Sequence, residues 1–345
     1  MPTSIFTERT KPIIGITMGD SNGIGPEILV KALDTLKQND SFIPVVYGNA
    51  ALLNHIAQEY QLSVTFTEKD NIPEIHTDSP DIPVIQCGAR AIPYTPGKLD
   101  PLAGANAALW IRAATEDASA KRIDGMVTCP VNKDGMLKGG CPYAGHTPML
   151  AALTQTEECY MSLFSSNMRI VHITAHLSMK DAVAAVKKER IYRTIKQCYR
   201  TLTQMGFESP RIAVAGLNPH AGEMGAFGTE ELEEIQPAVD RARQENIQCT
   251  GPLSPDTVFS RMSSGEFDVV VAMYHDQGHI PFKLINMDEG VHATLGLPFV
   301  RTSPDHGTAF DIAGTGKARA ESMCAALLLS SQWAMHALKQ REATA

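Results

Sequence analysis

Short runs of β-branched and apolar residues alternate along almost the whole chain with longer segments of helical periodicity, and this alternation limits the fold more than any other feature. Strand-length runs occur at 12–18, 43–47, 125–129, 170–175, 211–216 and 268–274, and helical stretches lie between them at 26–36, 106–118, 181–204 and 229–246. Strands separated by helices pair in parallel through crossovers, so the expected fold class is α/β with largely parallel sheets. The last helix has Thr229 as a predicted N-cap. Glu230, Glu231, Glu233 and Glu234 follow it, where the dipole favours negative charge, and that acidic run reads as a solvated helix start.

With 345 residues, 43% of them hydrophobic, the chain can build one large or two medium domains. Its 30 basic and 38 acidic residues form no basic stripe, which argues against a nucleic-acid partner. No apolar segment reaches membrane-spanning length, and residues 1–12 lack the apolar core of a signal peptide, so a cytoplasmic protein without membrane partners is expected. Seven scattered cysteines without a CxxC pair fit reduced thiols. Residues 68–102, rich in proline and polar side chains, read as irregular strands and turns.

Three strand candidates end in histidine: RIVHITAHLSMKD delivers His176, RIAVAGLNPHAGE delivers His220, and VVVAMYHDQGH delivers His275. Ligands bind at the carboxyl ends of strands in open α/β sheets, so the three imidazoles are candidates for one divalent-metal site, with hydrogen-bonded loop histidines as the alternative. Asn218, Glu223, Asp276 and Gln277 are candidate partners that would orient them. His172 reads as a core or supporting residue. His275 and His279 are four apart, but Val269, Val270 and Val271 favour a strand, Gly278 interrupts a helix and Pro281 breaks one. A strand ending in a loop is therefore expected, with His279 as a loop neighbour rather than the second half of a helical pair.

Other segments suggest ligand contacts. TMGDSNGIGPEI is a tight turn between strand and helix that does not meet the GxGxxG dinucleotide pattern; it suits either a ligand approach or a purely structural turn. His146 and Thr147 stand in a loop before a helix. Lys283 and Arg301 emerge from apolar contexts, where each cation needs an anionic substrate group or an internal partner such as Asp276, Asp288 or Asp305.

Residues 306–316, HGTAFDIAGTG, resemble the HGSAPDIAGKG loop of isocitrate and isopropylmalate dehydrogenases. His306, Gly307, Ala309, Asp311, Ile312, Ala313, Gly314 and Gly316 match by position, and Thr308 replaces the serine. With GDSNGIGPE, GHTPML, GLNPHAGE, AMYHDQGHIPFK and TLGLPFVRTSPDHGTAFDIAGTGKA in order, the chain after Lys11 resembles the 4-hydroxythreonine-4-phosphate dehydrogenase family of the vitamin B6 pathway. The resemblance implies two α/β/α domains with a central cleft, as in isocitrate dehydrogenase, here placed at 1–135 with 297–345 and at 136–296. It further implies a homodimer with a shared active site. His176, His220 and His275 become ligands of one divalent ion per subunit (zinc, magnesium or cobalt). His146, Thr147, Asp256, Lys283, His292 and Arg301 become substrate contacts, with Lys283 and Asp276 as catalytic groups. His306, Gly307, Thr308, Ala309 and Asp311 would hold NAD or NADP.

The implied reaction is oxidation and decarboxylation of 4-phosphooxy-L-threonine, a small phosphorylated hydroxy acid. Where the family commonly has asparagine, GVHATLGLP carries His292. A branch of the family acts on 4-phosphorylated threonate or erythronate and gives the alternative substrate. A zinc hydrolase using the same histidines, with Asp276 or Glu223 as base, is the competing class; it leaves the 305–317 loop unexplained.

Overall fold

The structure is a computed structural model that describes residues 11–72, 80–88, 90–92 and 94–344. The first ten residues of the N-terminal segment and parts of the proline-rich stretch lie outside the described residues. The chain is α/β throughout and divides into two compact units, 1–157 with 297–345, and 158–296. Residues 136–157, assigned by sequence to the second domain, fall in the first unit.

The first unit runs β1 (Ile13–Thr17), α1 (Gly25–Thr35), β2 (Ile43–Gly48), α2 (Ala50–Glu59), β3 (Phe66–Lys69), β4 (Ile82–Gln86), α3 (Pro101–Ser119), β5 (Gly125–Thr128), α4 (Lys133–Lys138) and α5 (His146–Thr154). The second holds β6 (Tyr160–Phe164), β7 (Arg169–His172), α6 (Met179–Ala185), α7 (Lys188–Gln204), β8 (Ile212–Ala215), α8 (Gln236–Gln244), β9 (Cys249–Leu253), α9 (Val258–Ser263), β10 (Val269–Ala272), α10 (His275–Asn286) and β11 (Val291–Leu295). The chain then returns to the first unit with β12 (Val300–Pro304) and α11 (Glu321–Thr344). Helices α4 and α5 pack on α3, which is why 136–157 belongs with the first unit.

Sheet order in the first unit is β3-β4-β2-β1-β5-β12, every pair parallel. In β1 all five residues are buried, as a central parallel strand covered by helices on both faces requires. Trp110 of α3, 1% exposed, donates its indole N–H to Cys87 O at 3.0 Å and so satisfies the one polar atom that its burial strands.

In the second unit the order is β11-β6-β7-β10-β8-β9. β6 pairs antiparallel with both β11 and β7, whereas β7-β10-β8-β9 is parallel. Ile170, Ala213, Ala215, Val270 and Ala272 of these strands form a core with Val258, Phe259 and Met262 of α9 and with Phe282 of α10. Phe282 is fully buried, a contribution of about 1.5–3 kcal/mol that fixes α10 on the sheet. The expected helix at 181–204 is present in two pieces, α6 and α7, separated by the extended residues Val186 and Lys187.

Candidate active site at the carboxyl ends of β7, β10 and β8

Strands β7, β10 and β8 lie side by side in parallel, with Ala272 opposite His172 and Val271 opposite Val214. Their carboxyl ends therefore share one sheet edge, and the chain leaves it towards His176, His275 and His220 in turn. Beyond the strands the backbones stay tied: Ile173 N donates to Ala272 O at 2.8 Å and Thr174 Oγ1 to Met273 O at 2.9 Å. Gln277, 8% exposed, accepts from Met273 N and donates to Gly216 O, both at 2.7 Å, linking the β10 exit to the β8 exit.

The loop expected after β10 is corrected by the structure. Residues 275–286 form helix α10, despite Gly278 and the internal Pro281. A helix places His275 and His279 on one face, and their rings stack with centroids 3.6 Å apart and planes 12° from parallel. His279 is buried, with Nδ1 3.1 Å from His275 O and 3.2 Å from His172 Nε2. Gly278 belongs in the helix for a steric reason: a Cβ there would lie 2.5 Å from His172 Nε2 and 2.7 Å from Ile170 Cγ2. Gly278→Ala should gain about 1 kcal/mol of helix propensity and lose about 1–3 kcal/mol to overpacking against rigid neighbours. A net loss of up to about 2 kcal/mol is expected in urea unfolding, and a stabilised variant would contradict this packing.

His172, 2% exposed, is the supporting residue expected; burial, then the neighbouring His279, pushes its pKa down to about 3 and keeps it neutral. His275 is half-buried, its Nδ1 2.7 Å from Asp276 Oδ1, which leaves Nε2 for a ligand. His176 is exposed, with its ring centroid 6.2 Å from that of His275. His220 is exposed as well, and its Nδ1 lies 3.9 Å from Asp256 Oδ2. Asp256 accepts from Ser254 Oγ at 2.6 Å, which, more than His220, holds its pKa below the usual carboxylate value. Asp256 and Asp276 both line an open groove of about 580 Å³ walled also by Phe259, Tyr274 and Ile280. Three imidazoles, two of them beside carboxylates, fit a divalent ion in donor chemistry. Among the described residues no three histidine, cysteine or carboxylate side chains already close around a metal position.

Of the expected orienting partners, Asp276 touches its histidine, whereas Gln277 bridges backbone and Glu223 is exposed. Asn218 donates instead to the carboxylates of Glu230 and Glu231. Glu231, read from sequence as part of a solvated helix start, is 2% exposed and accepts from Leu217 N and Asn218 N, each at 2.7 Å. Nothing in the acidic run marks which glutamate turns inward. Around His220 the backbone is left-handed: His220, Ala221, Glu223 and Met224 have φ between 42° and 57°, a conformation that costs non-glycine residues roughly 1–2 kcal/mol each.

Elsewhere, Lys283 lies half-buried on α10 and His292 half-buried in β11, where it pairs with Leu163 of β6. Within the first unit, Arg301 of β12 is 2% exposed and donates through Nη2 to Thr128 Oγ1 at 2.6 Å. His146 and Thr147 open helix α5 rather than preceding it, a position where free backbone N–H groups favour an anion. The 306–316 loop packs on the turn after β1, with Ile24 N donating to Thr308 O at 2.9 Å. His306, Gly307 and Asp311 are exposed there, Thr308 and Ala309 half-buried, and a side chain at Gly307 would meet open space.

The sequence profile described as "Pyridoxal phosphate biosynthetic protein PdxA" matches residues 40–330. The chain belongs to this PdxA family. A 4-hydroxythreonine-4-phosphate dehydrogenase of Desulfosudis oleivorans is 43% identical over 328 residues, 92% of this chain and 94% of that protein. A D-threonate 4-phosphate dehydrogenase of Cupriavidus necator is 42% identical over 319 residues, 92% of this chain and 95% of its own length. The crystal structure of 4-hydroxythreonine-4-phosphate dehydrogenase from Klebsiella pneumoniae superposes with a TM-score of 0.85 at 41% identity, over 95% of this chain and 100% of that one. As a PdxA family member, the chain is a dehydrogenase acting on a CH–OH group. No described helix is long and apolar enough to cross a membrane.

Proposed function

We propose that this dehydrogenase oxidises the C3 hydroxyl of 4-phosphooxy-L-threonine with NAD or NADP and releases the carboxylate as carbon dioxide. The observation that carries this reading is the delivery of His176, His275 and His220 from three adjacent parallel strand ends in a member of a dehydrogenase family. These three residues would hold a divalent ion, which supplies Lewis-acid charge for the substrate oxygen. Asp276 holds His275 Nδ1 by a hydrogen bond, and Asp256 puts a negative charge near His220. Lys283 takes the hydroxyl proton and returns one to carbon after the carboxylate leaves. Arg301 and the α5 N-terminus at His146 and Thr147 bind the phosphate. The 306–311 loop, His306 to Asp311, would hold the cofactor, whose nicotinamide would supply the hydride acceptor.

A second substrate, D-threonate 4-phosphate, is favoured by the name of the Cupriavidus relative. Ile280, Leu284 and Ile285 leave α10 with an exposed apolar face, 51–84% accessible and continued by Met287 just beyond the helix, which supports a homodimer built over this helix. To test the assignment, the purified chain is incubated with Zn²⁺, Mg²⁺ or Co²⁺, NAD or NADP, and each phosphorylated acid, while reduced nicotinamide absorbance and carbon dioxide are followed. Turnover with one acid identifies the substrate. No turnover with either would sink the proposal.

A further inference from the structure

We infer that Glu231 is a positioning residue for His220, clamping the left-handed turn that carries it. The turn is unusual: six consecutive residues, His220 to Gly225, have positive φ, and only Gly222 at +75° and Gly225 at +96° among them are glycines. L-residues avoid this region singly and still more in succession, so the segment needs an external template. Glu231 supplies one. Its Oε1 accepts from Leu217 N and Asn218 N, both at 2.7 Å, and its Oε2 accepts from Asn218 Nδ2 at 2.9 Å.

Glu230 Oε2 accepts from the same Asn218 amide at 2.7 Å, so the residue two before His220 is held from both backbone and side chain. The carboxylate also fills the inside of the turn: a Cβ on Gly222 would lie 2.5 Å from Glu231 Oε2, and one on Gly216 would lie 3.2 Å from Oε1. One buried anion thus satisfies the backbone leaving β8 and sets the curvature that points His220 towards Asp256. Glu231 touches neither the His220 ring nor the groove, so it acts through the turn.

The inference deepens the proposed metal role of His220 and rests on it only for ion binding. The experiment therefore has two readouts on the full-length chain. The first is the imidazole ¹H–¹⁵N spectrum of metal-free, histidine-labelled protein, with His220 signals assigned by their loss in His220→Ala. Glu231→Ala should shift or broaden the His220 signals and leave those of His55 and His336 in place. Glu231→Gln should shift them less, because its carbonyl oxygen keeps the two backbone donors.

The second readout is titration with Co²⁺ followed by its visible absorption. The dissociation constant should rise at least tenfold in Glu231→Ala and partly recover in Glu231→Gln, with the His220→Ala/Glu231→Ala pair no weaker than His220→Ala alone. If the wild type itself binds no Co²⁺, the metal reading fails while the imidazole spectrum still decides the positioning role. Unchanged His220 signals in a folded Glu231→Ala, or equal shifts of all histidines, would overturn the inference. Should Glu231→Ala not fold, Glu231→Gln and Gly222→Ala press on the same contact from its two sides. Selective His220 shifts in both would then support the clamp, and their absence would overturn it.

Discussion

Replacing His275 by alanine is expected to lower kcat/KM by about 10³-fold or more, some 4 kcal/mol of transition-state stabilisation, while the protein stays folded. The side chain is half-exposed and its main polar partner is the exposed Asp276, so little folding energy resides in it. His279 makes the informative contrast. It is buried against His172 and under the His275 ring, so His279→Ala should cost about 2–3 kcal/mol in urea unfolding through the cavity it leaves. Initial rates and unfolding curves on both variants check the pair of expectations. A His275→Ala enzyme retaining more than a tenth of wild-type kcat/KM would remove His275 from the chemistry.

Arg301→Ala should raise KM for the phosphorylated acid by about 10²–10³-fold, the loss of a charge-assisted contact to phosphate, and change KM for NAD or NADP by less than about threefold. Arg301 is deeply buried, so the substitution also strips Thr128 Oγ1 of its 2.6 Å donor, at about 1–3 kcal/mol of stability. Arg301→Lys keeps the charge without the planar fork and should fall between the two. The measurement is a pair of saturation curves, one for each substrate, beside a thermal melt. An unchanged KM for the acid would assign Arg301 to structure alone.

Much of the fold can be read along the chain because parallel strands buried on both faces must be apolar runs, and the helices between them must carry helical periodicity. All six strand candidates are strands, and the adjacency of β7, β10 and β8 gives the histidine pattern its spatial meaning. Helix α10 defeats local reasoning. Glycine and proline weaken an isolated helix, yet Phe282 and His279 anchor this one on the sheet, and Gly278 is the residue small enough to lie against His172. Glu231 is hidden for a related reason. Four glutamates in five residues look alike in sequence, and only the path of the turn after β8 decides which one is enclosed.

By itself, the sequence determined the α/β class, six of the strands, the PdxA-type motifs and the strand-end placement of His176, His220 and His275, because each is written in local periodicity or contiguous residues. The tertiary structure alone decided that His275 and His279 share a helix face, that Glu231 lies inside the His220 turn and that Arg301 is bound to Thr128. These outcomes depend on contacts between segments apart in sequence, such as α10 against His172, where packing and the need to satisfy buried polar groups outweigh the preferences of any short stretch.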